Sequence, residues 1–145
     1  TDNEWYLTGV QLEVGTVATP HEHISYGEQL ALCQRYFYEF LDPLVSNEDI
    51  AIGSVYNSGQ LEVCIQFPVP MRSLPSRTQV SGTDYYVALG NNGSDLFDGF
   101  SGTGGGSKNR TMIFTNGDNF SGTQGQARRV RKQNASARLR FDAEL

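Results

Sequence analysis

Strict alternation of apolar and polar residues over short stretches constrains the fold of this chain more than any other feature. The stretch LEVCIQF (61–67) alternates without a break, and so does ASARLRFDAEL (135–145). A period of two is the pattern of a β-strand that buries one face. The residues of the first stretch that are predicted to face inward are Leu61, Val63, Ile65 and Phe67.

Further strand patterns follow along the chain, separated by residues that are typical of turns. IAIGSVY (50–56) precedes Asn-Ser-Gly, and TQVSGTDYYVALG (78–90) contains two strands around Ser-Gly-Thr. NRTMIFTNGDNF (109–120) contains Asn-Gly, which is a hairpin signal. About eight or nine short strands in one chain predict a mainly β fold, an antiparallel sandwich of the jelly-roll type.

The N-terminal part of the chain predicts two further elements. EWYLTGVQLEV (4–14) alternates like a strand, with Val10, Leu12 and Val14 on one face. SYGEQLALCQRY (25–36) predicts the only helix, a short one whose apolar face would be residues 30–33.

The predicted helix begins at a recognisable start signal, because Ser25 and Glu28 have the spacing of a capping box.

We expect residues 1–24 to be a connector strand from an upstream module and residues 25–145 to be one β-sandwich domain. The chain does not begin with Met, which favours an excised fragment of a longer protein.

Charge is distributed unevenly along a chain whose net charge is −5. Residues 1–62 hold ten acidic residues and one basic residue, whereas residues 108–140 hold eight basic residues and one acidic residue. The two parts are expected to attract each other, within one chain or between copies. A basic patch for nucleic acid or anionic polysaccharide is the alternative, but the net negative charge argues against nucleic acid. No apolar run is long enough to suggest membrane insertion.

Motifs for catalysis are missing from the sequence. It has no Gly-x-Ser-x-Gly elbow, so nothing supports nucleophilic catalysis, and we predict that the protein is not an enzyme. The cysteines, Cys33 and Cys64, lack Cys-x-x-Cys spacing and are expected to be buried free thiols.

One pair of residues has a spacing that is typical of metal ligands. On an extended segment, His21 and His23 would point the same way, and three chains around an axis would supply six imidazoles to a metal. A solvated pair on a linker is the favoured alternative, so no cofactor is predicted.

Aromatic residues next to loops rich in Gly, Asn, Ser and Asp are the remaining candidates for a binding site. A sugar needs a flat apolar face and short polar side chains for its hydroxyl groups. We expect such a surface among loops 56–60, 82–86, 90–107 and 116–126, although each ring could instead belong to the core. The candidate residues are Tyr56, Asn57, Tyr85, Tyr86, Asn91, Asn92, Asp95, Phe97 and Asp98.

The segment 5–37 resembles a recurring segment of bacteriophage tail-fibre and other virion appendage proteins. Their pattern is Q-L-E-x-G-x-x-A-T-P-F-E, then a short acidic helix, then C-Q-R-Y-Y. This chain has QLEVGTVATPHE (11–22) and CQRYF (33–37), with His21 in place of the usual Phe. More loosely, FPVPMRSLPS (67–76) and the final Ala-Glu-Leu resemble the same family.

The resemblance implies a C-terminal domain at the distal end of a fibre, located in the virion and assembled in the host cytoplasm. Such fibres are homotrimers that contact upstream virion proteins and bind a bacterial surface glycan, polysaccharide or lipopolysaccharide. Two alternatives remain open: a capsid-decoration or trimerisation module without a ligand, and a polysaccharide depolymerase.

Overall fold

A computed structural model describes residues 10–17, 19–20, 23–42, 44–91 and 93–144. Among these residues one helix and ten strands form. The helix is α1 (Tyr26–Gln34), and the strands are β1 (Phe37–Glu39), β2 (Asp49–Asn57), β3 (Gln60–Gln66), β4 (Ser76–Val80), β5 (Tyr86–Gly90), β6 (Gly93–Phe97), β7 (Gly102–Gly104), β8 (Arg110–Phe114), β9 (Ala127–Lys132) and β10 (Arg138–Asp142).

The strands form two antiparallel sheets that share one core. The small sheet has the order β1-β10-β4, and the large sheet has the order β6-β5-β9-β2-β3-β8-β7. Val55, Ile113 and Val130 of the large sheet and Leu139 and Phe141 of the small sheet belong to the same buried cluster. The prediction of a mainly β, antiparallel sandwich with one short helix is confirmed. Its sheets have three and seven strands, which differs from the two four-stranded sheets of a regular jelly roll.

The large sheet is strongly curled. Its edge strands, β6 and β7, are joined only by residues 98–101. An extended chain from Phe97 to Gly102 spans at most about 18 Å, whereas seven flat strands would separate the two edges by about 29 Å. The sheet must therefore bend its edges towards each other. Phe100, in the connection, is fully buried against the inner face of this curled sheet.

The two clearest alternating patterns formed strands as predicted. In β3 and the residue after it, Leu61, Val63, Ile65 and Phe67 are buried. In and around β10 the buried residues are Ala137, Leu139, Phe141 and Ala143, while Leu145 lies outside the described residues. Both strands bury one face because a second sheet or a crossing segment covers it.

The Asn-Gly hairpin prediction at residues 116–117 is wrong. β8 pairs with β3 and β7, and the chain then runs through the long loop 115–126 before β9 begins. β9 lies between β5 and β2 in the large sheet. A local hairpin did not form because the partners of β8 come from elsewhere in the sequence.

The predicted N-terminal strand is also corrected. Residues 10–14 form no strand, and Val10, Leu12 and Val14 are exposed, so no partner strand covers their apolar face. The earlier part of the predicted strand, residues 4–9, lies outside the described residues.

Helix α1 begins as the sequence predicted. The Ser25 hydroxyl accepts a hydrogen bond from the backbone N–H of Glu28, and the Glu28 carboxylate accepts one from the backbone N–H of Ser25. The Ser25 hydroxyl also donates to the Glu28 carboxylate, at 2.7 Å, and this bond, together with the one from the Ser25 N–H, lowers the pKa of the Glu28 carboxyl. However, no residue of α1 is buried, so its predicted apolar face is uncovered.

The expectation of buried thiols is wrong, since Cys33 and Cys64 are both exposed and free. Cys33 lies on the uncovered helix, and Cys64 lies on the outer face of β3. Within the described part of the chain, no helix has the length and apolar character needed to cross a membrane.

Candidate functional site

The β8–β9 loop, residues 115–126, is held to the β2–β3 turn. The Thr115 hydroxyl accepts a hydrogen bond from the Leu61 N–H at 2.9 Å and donates one to the Gly59 carbonyl at 3.1 Å. The Gly117 N–H also donates to the Gly59 carbonyl, at 3.0 Å. Phe120 is buried in the core and anchors the middle of the loop. The loop is therefore a packed segment with a defined surface.

Asp98, which follows β6, connects the β8–β9 loop to the β4–β5 loop. Its backbone N–H donates to the Asp118 carbonyl at 2.9 Å, and its carboxylate accepts from the Asn119 side-chain amide at 2.7 Å. The other carboxylate oxygen accepts from the backbone N–H of Asp84 at 3.1 Å. These contacts bring the loops into one area, which we call the loop surface: residues 56–60, 84–85, 98 and 116–119.

Three residues of the loop surface have a left-handed backbone although they are not glycine. The φ angles are +58° at Asp84, +46° at Asp118 and +60° at Asn119. Asp and Asn tolerate this conformation better than other side chains because they hydrogen-bond locally. Asp118 does so by accepting from the Asn116 N–H at 2.9 Å.

Four predicted site residues lie on the loop surface. The ring of Tyr56 is 59% exposed, and Tyr85 is half-buried against the core. Asn57 is exposed, and its side-chain oxygen accepts from the Gly59 N–H at 3.0 Å. Asp98 holds the loops together as described. The surface thus combines accessible aromatic rings with carboxylate and amide groups.

The prediction that Tyr86 and Phe97 contact a ligand is corrected. Both are completely buried, and their rings stack with centroids 5.5 Å apart in the core. They face inward because their strands, β5 and β6, turn that side towards the crossing segment with Phe100. These rings build the scaffold below the loops.

The remaining predicted residues fall outside the loop surface. The Asp95 carboxylate lies 3.4 Å from the Arg128 guanidinium, so its charge is already paired. Asn91 is exposed in the β5–β6 turn, and Asn92 lies outside the described residues.

A polar contact between the sheets lies close to this region. Gln79 of β4 accepts hydrogen bonds from the Arg77 guanidinium at 2.8 Å and from the Phe100 N–H at 3.1 Å. The Tyr86 hydroxyl is buried without a hydrogen-bond partner in the described protein. Burial raises the pKa of Tyr86 to about 12, and the nearby Arg77 charge opposes that rise. Burial also lowers the pKa of Arg77.

The predicted histidine pair is only partly described. His21 lies outside the described residues, and His23 is exposed at the start of the segment before α1. Among the described residues, no group of three or more His, Cys, Asp or Glu side chains could hold a metal ion. A metal on a trimer axis stays a prediction.

A cleft that sequence reasoning missed lies between α1 and the segment after β3. It has a volume of about 860 Å³. Its lining residues are far apart in sequence, so no motif signals it. They are His23, Ile24, Glu28, Ala31, Leu32, Arg35, Val69, Pro70, Met71, Arg72 and Lys108.

Comparison with known proteins yields no relative. No protein-family model matches the sequence, and no curated protein or solved structure matches it significantly. The functional interpretation therefore depends on the residues of this chain and on the geometry described above.

Proposed function

We propose that this chain is the terminal β domain of a bacteriophage virion appendage and binds a glycan on the bacterial surface. The observation that carries the proposal is the loop surface. It presents the exposed ring of Tyr56 and the half-buried ring of Tyr85 on loops that also expose Asn57 and Asn119. Rings pack on the apolar faces of sugars, and amides and carboxylates bind their hydroxyl groups.

The hydrogen bonds that fix the loop surface favour recognition. Asp84, Asp98, Asp118 and Asn119 are bound to one another across three loops. Loops that are ordered before binding lose less conformational entropy when a ligand binds. Functional residues also concentrate on loops that a rigid scaffold positions.

We further propose that the domain acts as a homotrimer. Helix α1 buries no residue and exposes Tyr26 and Leu30, neither of which lines the cleft beside the helix. The segment before it exposes Leu12 and Val14 in the same way. Apolar residues that are exposed together are typical of interaction surfaces, and other copies of the chain would cover them. Light scattering should give three times the chain mass of 16.0 kDa.

The decisive experiment measures binding of the labelled protein to candidate host cells with and without their surface polysaccharide. We expect Tyr56→Ala to weaken binding about tenfold, which corresponds to about 1.4 kcal/mol. Ile52→Ala is the control, because Ile52 is exposed on the same strand as Tyr56 but lies outside the loop surface. It should bind cells as the wild type does.

Three outcomes would count against the proposal. Cell binding that is unaffected by removal of the polysaccharide would exclude the glycan. No binding to any host cell would favour a decoration or trimerisation module. Loss of the polysaccharide from cells treated with the protein would indicate a depolymerase.

A further inference from the structure

The cleft beside α1 has cationic residues from three separate parts of the chain. Arg35 follows α1, Arg72 lies after β3, and Lys108 precedes β8. Two backbone hydrogen bonds of 2.7 Å bring these parts together, from the Arg72 N–H to the Arg35 carbonyl and from the Met71 N–H to the Lys108 carbonyl. The fold therefore places the three cations at one cleft.

The cations have no carboxylate partners. None of Arg35, Arg72 and Lys108 forms an ion pair with an acidic residue in the described parts of the chain. The Arg72 guanidinium lies 5.4 Å from the centre of the Tyr36 ring, and this contact orients it. Lining residues thus supply three positive charges in a protein whose net charge is −5.

One lining residue carries the opposite charge. Glu28 accepts hydrogen bonds from the Ser25 N–H at 3.1 Å and from the Ser25 hydroxyl at 2.7 Å. These bonds lower its pKa, so the carboxylate stays ionised at neutral pH and remains turned to the helix start. The cleft lining therefore has three cationic residues and one carboxylate, which is already hydrogen-bonded to Ser25. Its net charge is positive.

The wall of the cleft is apolar. Ile24, Leu32, Val69 and the buried Met71 contribute to it, and the volume of about 860 Å³ is in the range of small-molecule sites. A ligand that fits would place an oxyanion against the cations and its carbon skeleton against the apolar wall. Arg and Lys bind phosphate and carboxylate through charge-assisted hydrogen bonds.

We propose that this cleft is a second binding site, for a saccharide unit that carries an oxyanion, either a phosphate ester or a uronic acid carboxylate. The site goes beyond the proposed glycan binding by the loop surface and shares no residue with it. The two sites therefore succeed or fail independently, and only this one requires an acidic ligand.

Titration calorimetry with glucose 6-phosphate, glucuronate and glucose tests the site on the full chain. We expect at least one of the two acidic sugars to bind with a Kd of about 1 mM or tighter, and glucose not to bind. The acidic sugar that binds identifies the anion. Raising the salt concentration from about 0.05 to 0.5 M should weaken binding severalfold, because the cations are exposed.

Charge-removing variants locate the site. Arg72→Gln combined with Lys108→Gln should weaken binding at least about tenfold. Both side chains are exposed, so thermal unfolding should match the wild type. Arg110→Gln removes one positive charge from an exposed residue that does not line the cleft and should change binding less than twofold. Tyr56→Ala should leave this binding unchanged, which separates it from the loop surface.

Each contrary result overturns the site. Failure of both acidic sugars to bind would show that the cleft takes no such anion. If glucose bound as tightly as the acidic sugars, the positive charges of the cleft would not contribute to binding. An effect of Arg110→Gln as large as that of the double variant would show that overall charge, and not the cleft, attracts the ligand.

Discussion

The buried hydroxyl of Tyr86 is predicted to make a measurable contribution to the pH dependence of stability. The residue is fully buried, and its hydroxyl has no hydrogen-bond partner in the described protein. Its pKa rises from the ordinary 10.0 to about 12, mainly because burial disfavours the charged phenolate. The unfolded chain therefore loses this proton at a lower pH than the native protein does.

The direction and size of the effect follow from linkage between proton binding and folding. Because the pKa is raised in the native state, its stabilising contribution is complete below about pH 10 and disappears as the pH rises towards 12. At pH 11 the free energy of unfolding should have fallen by about 1.4 kcal/mol from this group alone. The limiting loss above pH 12 is about 2.7 kcal/mol.

The assay is denaturant unfolding of the wild type and of Tyr86→Phe between about pH 8 and 11. Phe cannot ionise, so the variant should lose about 1.4 kcal/mol less over this range. Tyr38, whose pKa burial also raises, contributes equally to both proteins and cancels. At pH 7 the variant should be as stable as the wild type or more stable, because it removes an unpaired buried hydroxyl.

A matched control and two possible results test whether the Tyr86 hydroxyl is buried without a hydrogen-bond partner. Tyr56→Phe removes a hydroxyl from an exposed ring and should give the stability curve of the wild type. If Tyr86→Phe followed the same pH dependence as the wild type, burial of the hydroxyl would be refuted. A loss of more than about 2 kcal/mol at pH 7 would show that the hydroxyl has a bonding partner in the native protein.

Two further predictions concern local structure. Gly102→Ala should cost about 1–3 kcal/mol in denaturant unfolding, because the new methyl group would overlap the Phe114 ring. Gly104→Ala should be nearly neutral, since its methyl group would lie 3.5 Å from that ring, and an equal loss for both would contradict the explanation. Ser25→Ala should reduce helix content by circular dichroism without shifting the unfolding of the sheets, since it removes the cap of a helix that buries nothing. A lower unfolding midpoint would show that α1 packs on the domain.

The alternating pattern predicted strands correctly only where another part of the protein covers the apolar face of the segment. A period of two shows only that one face of a segment is apolar, and it does not show what lies against that face. For β3 and β10 the cover is the shared core, and the strands formed as predicted. Residues 10–14 have the same pattern, yet Leu12 and Val14 are fully exposed. The difference lies outside the segment and could not be predicted from it.

Strand β9 was missed because its inward face carries charge. Its sequence, ARRVRK, buries Arg128, Val130 and Lys132, so the alternation contains only one apolar residue. Each buried cation has a partner: the Arg128 guanidinium pairs with Asp95, and the Lys132 ammonium donates to the Asp42 carbonyl at 2.6 Å. These partners are 33 and 90 residues away in the sequence, so this interior strand of the large sheet has no local signal.

The candidate surface was predictable only at the level of loops. Gly, Asn and Asp mark the turns that meet at Asp98, because these residues accept unusual backbone angles. Which aromatic rings reach the surface was not predictable. Tyr85 and Tyr86 are neighbours, yet only Tyr86 is completely buried, because it begins β5 and stacks on Phe97, whereas Tyr85 lies in the loop before the strand.

Part of the uneven charge of the sequence is paired within one chain. Glu39 lies 3.1 Å from the Arg140 guanidinium and 3.6 Å from that of Arg138, and Asp49 lies 3.6 Å from that of Arg129. These pairs join the acidic N-terminal part to the basic C-terminal part, as the folded register of β1 with β10 and of β2 with β9 requires. Attraction between copies is therefore not needed to explain the pattern. The cations that this pairing leaves without a carboxylate include the three at the cleft, and only Lys108 of these belongs to the basic part of the sequence. We propose that a ligand anion supplies the counter-charge of these three cations.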